Sequence, residues 1–393
     1  VFLCGLAGFT LFSAACAAAP GVGVLIGLRA LQGAFGALMI PQGFGLLKEV
    51  FSDDELNRAT GLFGPATGVA MLAAPVVAGA LIGADLWGTG WRLVFLINVP
   101  VGLVTLPLAI RSLPRGVSHP GVTLDVAGVW LVGLALVGII FPLIEGQPDG
   151  WPLWCYLTLA AGIVLLGVFV RHERRRRQNP LIEATLLRNR TYLSGIAVVL
   201  ALFGAFGGLL LCVSLYGQLG AGWSPIQAGL MLTPMVLGLI LGMTASAALV
   251  KRLGRHLLHI GVALIAGGAL VLALGLSGGA DASAWNLVPG LFCIGIGAGA
   301  SFGQLFTFIL NAVTMNEVGS ASGVMEAAQQ LSTALGVAVL GTIFFASFNH
   351  DLPGGALRIT ALACLAPLLV AFLLVFRLPR DARAELETQA EAA

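Results

Sequence analysis

Two ionisable side chains stand where charge is expensive. Of 20 basic and 18 acidic residues, only Arg29 and Glu326 lie clearly inside apolar runs long enough to cross a bilayer. Such a charge costs about 2.5–3.5 kcal/mol on insertion scales and marks a functional site by default. A guanidinium does not usefully release its proton, so the chemistry open to Arg29 is to tune or pair with a carboxylate. The plain alternative is an Arg neutralised by backbone carbonyls for packing. A carboxyl at Glu326 is a candidate to carry a proton across the membrane interior. Its plain alternative is a Glu reaching into a polar inner vestibule. The neutral polar residues Gln32, Gln42, Gln304, Thr307, Asn311, Gln329 and Gln330 are candidates to line a path beside these charges. Other catalytic chemistry finds no support. His119, His172, His256, His259 and His350 are scattered, expected in loops, without metal spacing or a nucleophile constellation. The six cysteines fall in or beside apolar runs with no zinc or redox spacing, as small apolar fillers would. No metal and no cofactor is expected.

The elements that must hold these residues follow from composition. The chain has 393 residues, 58% apolar and only 10% charged, with a mean hydropathy of +0.98. Average globular domains are about 45–50% apolar and about 25% charged. A water-soluble globule cannot hide this much apolar surface. A soluble enzyme, a nucleic-acid-binding domain and a sizeable extramembrane domain are excluded. The chain reads as an all-α integral membrane protein. Apolar runs fall at 1–19, 22–47, 59–82, 91–112, 124–143 and 152–170, then at 191–216, 225–250, 257–276, 285–310, 319–348 and 356–378. Their length predicts about twelve helices, not the ~10-residue alternating strands of a barrel.

Sidedness comes from where the basic residues sit. Seventeen of the 20 follow even-numbered runs; the exceptions are Arg29, Arg92 and Arg358. Both ends are therefore expected in the cytoplasm. Trp87, Trp91, Trp151, Trp154, Trp223 and Trp285 gather at the opposite face, as an interfacial belt does. On this topology Glu326 lies ~10 Å deep from the inner end of its run, at 1.5 Å per residue. Arg29 lies about as far from an outer end, so direct contact between them is not expected. The polar stretch 171–192, with its run Arg174 to Arg177, reads as a cytoplasmic loop between two bundles; binding of anionic lipid heads is the other reading. Val1 already lies in an apolar run without a basic flank, so the true N-terminus is expected to lie upstream.

An ungapped shift of 262 residues superposes runs 2–3 on runs 10–11. It pairs Gly33 with Gly295, Gln42 with Gln304, Ala59 with Ala321, Gly61 with Gly323, Val77 with Val339 and Gly79 with Gly341. Parallel halves of this kind are one architecture of secondary transporters, with a site at midplane between them.

The runs RALQGAFGALMIPQ (29–42), WRLVFLINVPVG (91–102) and ASGVMEAAQQLSTALGVAVLG (321–341) resemble the 14-span drug:proton antiporter branch of the major facilitator superfamily. The resemblance implies a two-bundle fold: four of six N-terminal spans in 1–112, an inserted two-span pair and basic loop in 113–190, six C-terminal spans in 191–378, and a tail over 379–393. The family's first two spans are expected to be missing. It also implies a proton-coupled exporter of drugs or other amphipathic small molecules in the bacterial inner membrane, with protons and lipid as partners, no nucleic acid, and no accessory envelope protein named. A dedicated exporter of one endogenous metabolite or antibiotic, or a non-transporting membrane fragment or scaffold, are the alternatives. Arg29 matches the Arg that the family is held to use in proton transfer, followed in place by Gln32 and Gly33. Gly61, Pro75 and Gly79 match the family's antiporter motif, while Ala70, Ala74 and Ala78 stand where Gly is usual. Small residues let helices approach and Pro75 bends one, which would seal a seam against leak.

Overall fold

The computed structural model describes residues 1–50, 70, 74, 77–113, 125–146, 150–176, 181–183, 185–276, 284–314, 317–348 and 353–380, with side chains of 40–50, 87, 225, 251, 284 and 353 excepted. No strand occurs among them. The first half carries α1 (Phe2–Ala17), α2 (Val22–Val50), the short α3 (Leu93–Leu96), α4 (Asn98–Ser112), α5 (Val126–Glu145) and α6 (Leu153–Arg175). The second carries α7 (Arg190–Leu215), α8 (Pro225–Met231), α9 (Thr233–Leu253), α10 (His256–Gly275), α11 (Val288–Asn311), α12 (Val318–Ser347), α13 (Pro353–Ala363) and α14 (Leu365–Val375).

Ten helical stretches among the described residues are long and apolar enough to span a bilayer, and α1 is a shorter apolar helix. Three of the ten are pairs joined at one-residue breaks: α3 meets α4 at Ile97, α8 meets α9 at Leu232, just before Pro234, and α13 meets α14 at Cys364. The stretch after α7 continues as a π-helical turn over Tyr216–Gly220. The expected run at 59–82 lies mostly outside the described residues, although 77–84 is helical. The described residues are thus those of an all-α membrane protein. The outward helix faces are apolar: Leu103 is 64% exposed and Leu153 72%. In water those side chains would be buried; in lipid they are solvated.

The chain divides into two compact units, Val1–Pro120 with Ser224–Leu230, and Gly121–Trp223 with Met231–Ala393. In the first, α1 packs on α2 and α4. A Cβ at Gly5 would meet the Phe35 carbonyl oxygen at 2.9 Å, so only glycine allows the α1–α2 approach. In the second, α11 is gripped on two faces. Gly295 and Gly299 lie against the α9 carbonyls of Met235 and Leu239, while Gly290 and Gly297 lie against Gly268 and Gly261 of α10. Among lipid tails the hydrophobic effect cannot drive helix pairing, and close van der Waals contact between small residues takes its place. Leu202, Phe308, Phe344 and Leu368 form part of that unit's buried core.

Two sequence expectations need correction. His172, His256 and His259 are helical, at the end of α6 and the start of α10, not in loops. The basic run is also partly helical, because α6 continues through Arg175. Basic side chains suit that position, where the last carbonyls carry partial negative charge.

Candidate functional site

In the first unit the polar residues form a relay. Helical spacing of three brings Arg29 and Gln32 together on α2. Arg29 Nη1 donates to Gln32 Oε1 at 2.7 Å. Gln32 Nε2 donates to Ser13 Oγ of α1 at 2.5 Å, and Ser13 donates to the Phe9 carbonyl at 2.7 Å. The Cys16 thiol approaches Gln32 Oε1 at 3.9 Å. Gln32 is 1% exposed, whereas Arg29 is exposed, with its guanidinium 5.4 Å from the Phe95 ring centroid. A buried amide therefore holds the charged group by its carbonyl, and the neutral backbone of α1 anchors the amide. Arg92, the other basic residue at this end, donates to the Ala19 carbonyl at 3.0 Å and stacks on Trp91.

In the second unit Glu326 is exposed on α12 and accepts from Gln330 Nε2, one turn on, at 3.0 Å. Gln329, Gln304 and Asn311 are half-buried. Thr307 is exposed and returns its hydroxyl to the Gly303 carbonyl at 3.0 Å. Of the antiporter-motif residues, Gly79 is buried in the helical segment 77–84, while Gly61 and Pro75 lie outside the described residues. The Gln42 side chain does too. A cavity of about 360 Å³ opens where α7, α12 and the α13–α14 pair meet, lined by Leu200, Gly204, Ser332, Gly336, Val339 and Pro367 among others. None of the polar candidates lines it.

Sequence reasoning missed an aromatic group on α7 and α11. Phe203 stacks on Phe302 at 4.4 Å between centroids, and Phe206 meets Phe302 edge-on at 5.1 Å. The i, i+4 spacing of Phe302 and Phe306 was its only trace in the sequence.

It also missed three buried acids: Asp125, Glu173 and Glu317. Burial acts to raise the Asp125 pKa, but the Gly128 amide, the His172 ring and the Arg176 charge outweigh it and hold the carboxyl below its ordinary value. Burial likewise acts to raise Glu317. The Thr185 hydroxyl, the Thr314 amide and hydroxyl, and a bond from Glu183 outweigh it and lower the pKa. Glu183 is raised in turn, first by burial and then by the Glu317 charge and hydrogen bond. With Asn189 Nδ2 donating to the Ala312 carbonyl at 2.6 Å, these contacts dock residues 183–189 onto the α11–α12 turn.

Long apolar helices with outward apolar faces, glycine-lined crossings and a charge held within a span define a polytopic α-helical membrane protein. Residues 1–337 match the model of the Major Facilitator Superfamily, and the chain belongs to that superfamily. It is 43% identical over 350 residues to a protein of Streptomyces coelicolor described as a probable actinorhodin transporter, covering 88% of this chain and 61% of that one. It is 32% identical over 368 residues to the tetracenomycin C resistance and export protein of Streptomyces glaucescens, covering 90% and 64%. The chain thus spans a little over six-tenths of the length of these curated relatives. Among solved structures, that of a peptide transporter in complex with sulfate superposes with a TM-score of 0.63 at 17% identity, over 96% of this chain and 79% of that one. At that identity the likeness concerns the fold.

Proposed function

We propose that the chain is a proton-coupled exporter of amphipathic small molecules in the bacterial inner membrane, with both ends in the cytoplasm. The relay Arg29–Gln32–Ser13 carries this reading, because it keeps a permanent charge at a fixed place inside a membrane helix. A permanent charge inside the membrane biases the protonation of a carboxyl that comes within its field. Glu326 is the carboxyl proposed for the second bundle, with Gln304, Thr307, Asn311, Gln329 and Gln330 along the path. The names of the two Streptomyces relatives support export, and each names a single compound. That favours, as a second reading, a dedicated exporter of one endogenous metabolite or antibiotic.

Inverted vesicles carrying the protein should accumulate an amphipathic dye when their lumen is acidified, and release it when the gradient is collapsed. Equal accumulation with and without a gradient would leave proton coupling without support. A panel of structurally unrelated dyes separates the two readings: the dedicated exporter moves few or none of them.

The topology rests on the 17-to-3 distribution of basic residues. Single cysteines introduced at Gly220 and Arg175 in a cysteine-free background test it. A membrane-impermeant maleimide should label position 220 in intact cells and reach 175 only after lysis. Labelling of 175 from outside would reverse the orientation.

A further inference from the structure

We propose that Asp125, His172 and Glu173 form a divalent-cation site, best suited to zinc, at the base of the α5–α6 pair. The three residues each offer a ligand atom, and these atoms all lie within 4.8 Å of one another. Asp125 caps α5, and its Oδ1 is taken up by the Gly128 amide at 3.0 Å and by Arg176 Nη1 at 2.9 Å. That leaves Oδ2 facing His172 Nε2 at 2.9 Å. Glu173 Oε2 accepts from the Ile182 amide at 3.0 Å, and its Oε1 is buried without a hydrogen-bond partner among the described residues. Asp125 thus has one oxygen held by outer donors and the other on His172, while Glu173 has one oxygen held and one buried without a partner among the described residues.

The orphaned oxygen is the observation that asks for a ligand. Asp125 is 2% exposed and Glu173 3%. A buried carboxylate oxygen with no partner costs more than an unpaired neutral group, and an ion is one of the few things that explains it. The charge balance agrees. Two carboxylates against one guanidinium leave the described cluster with one negative charge in excess when His172 is uncharged, which favours a cation. A dication would turn His172 Nε2 from hydrogen-bond partner into ligand, with any proton on it released to solvent.

The donor set selects the metal class. One imidazole nitrogen and two carboxylate oxygens suit zinc, whereas magnesium and calcium prefer oxygen alone. Zinc bonds of about 2.0–2.2 Å set tetrahedral ligand atoms about 3.3–3.6 Å apart, so Asp125 Oδ2 and His172 Nε2, now at 2.9 Å, would open slightly to admit the ion. Arg176, Gly128 and Ile182 then act as outer donors that aim the ligating oxygens, the usual partners of such a site. His172 keeps 31% of its side chain exposed, so the ion has a way in and a water has a fourth position. The consequence is mechanical: one ion would join the start of α5, the end of α6 and, through the Ile182 amide, the segment that docks on the α11–α12 turn.

Protein purified in detergent without a histidine tag, and dialysed against chelator, tests this. Titration with zinc should show one equivalent binding more tightly than any other, with a rise in unfolding temperature. Glu173→Gln and His172→Asn should each lower that affinity by at least about ten-fold. Cobalt should give visible d–d absorption in the wild type that both variants lose, a readout independent of stability. The proposal is overturned if zinc leaves the wild-type unfolding temperature unchanged. It is equally overturned if both variants titrate as the wild type does, which would place the ion elsewhere, for instance at His256 and His259.

Discussion

Leucine in place of Gly336 is expected to prevent accumulation of folded protein. Gly336 sits where α12 crosses α7, and a Cβ there would lie 1.9 Å from the Gly204 carbonyl oxygen. On the α7 side, a Cβ at Gly208 would lie 2.3 Å from the Gly336 carbonyl oxygen. The obstruction is backbone against backbone, so no rotamer change relieves it. The two helices would have to separate, and with them would go the Ser332 hydroxyl bond to the Leu200 carbonyl and the Tyr192 hydroxyl bond to the Ala321 carbonyl. Overpacking by a few methylenes costs about 1–3 kcal/mol where side chains can shift. Here the cost should exceed about 3 kcal/mol, a large share of a typical domain's total stability. Gly303→Leu is the matched control, because nothing lies near its Cβ among the described residues. Size-exclusion profiles and thermal unfolding in detergent should show a collapse for Gly336→Leu and little change for Gly303→Leu. A Gly336→Leu protein that melts with the wild type would mean that α7 and α12 do not cross at these glycines.

Those crossings show what a linear reading captures and what it does not. Apolar runs of about twenty residues announce helices because the bilayer fixes their length, so α5 and α10 were legible almost to their ends, while α6 ran on into the basic stretch. The Arg29–Gln32 bond was equally open to inspection, since a spacing of three on a helix brings side chains together. Its anchor, Ser13, belongs to another helix, and nothing local distinguishes it from the other hydroxyls of the chain. The buried acids were hidden for a different reason. Asp125, Glu173 and Glu317 lie at helix ends, where acidic residues are ordinary, and only tertiary contact makes them unusual. His172 is 47 positions from Asp125, too far for any spacing rule to link them. Glycines posed the converse problem: with 54 in the chain, the sequence says that helices pack closely but not which glycine meets which neighbour.

Arg29→Ala is expected to lower gradient-driven export by at least about ten-fold, and Arg29→Lys to retain a measurable part of it. The reasoning starts from the relay. Gln32 is fixed by Ser13 on one side and offers its carbonyl to Arg29 on the other, at 2.7 Å. A lysine ammonium can reach the same carbonyl and preserve the charge, but it loses the planar fork and the broad contact with the Phe95 ring. Alanine removes the charge altogether and leaves Gln32 Oε1 with only the weak Cys16 thiol contact at 3.9 Å. If the charge serves proton coupling, substrate binding measured without a gradient should survive both changes, because the missing interaction acts on the protonation equilibrium and not on the substrate. Melting temperatures should also stay close to the wild type, since Arg29 is exposed and Gln32 keeps its bond to Ser13. Glu326→Gln supplies the companion measurement. Its hydrogen bond with Gln330 can be kept by the amide, so a loss of the pH dependence of export, with the protein still folded, would place the carboxyl on the proton path. Export unchanged across the pH range would return Glu326 to a polar vestibule. Normal export by Arg29→Ala at every pH would make the relay a structural tie between α1 and α2, and the proton would have to be carried by other groups.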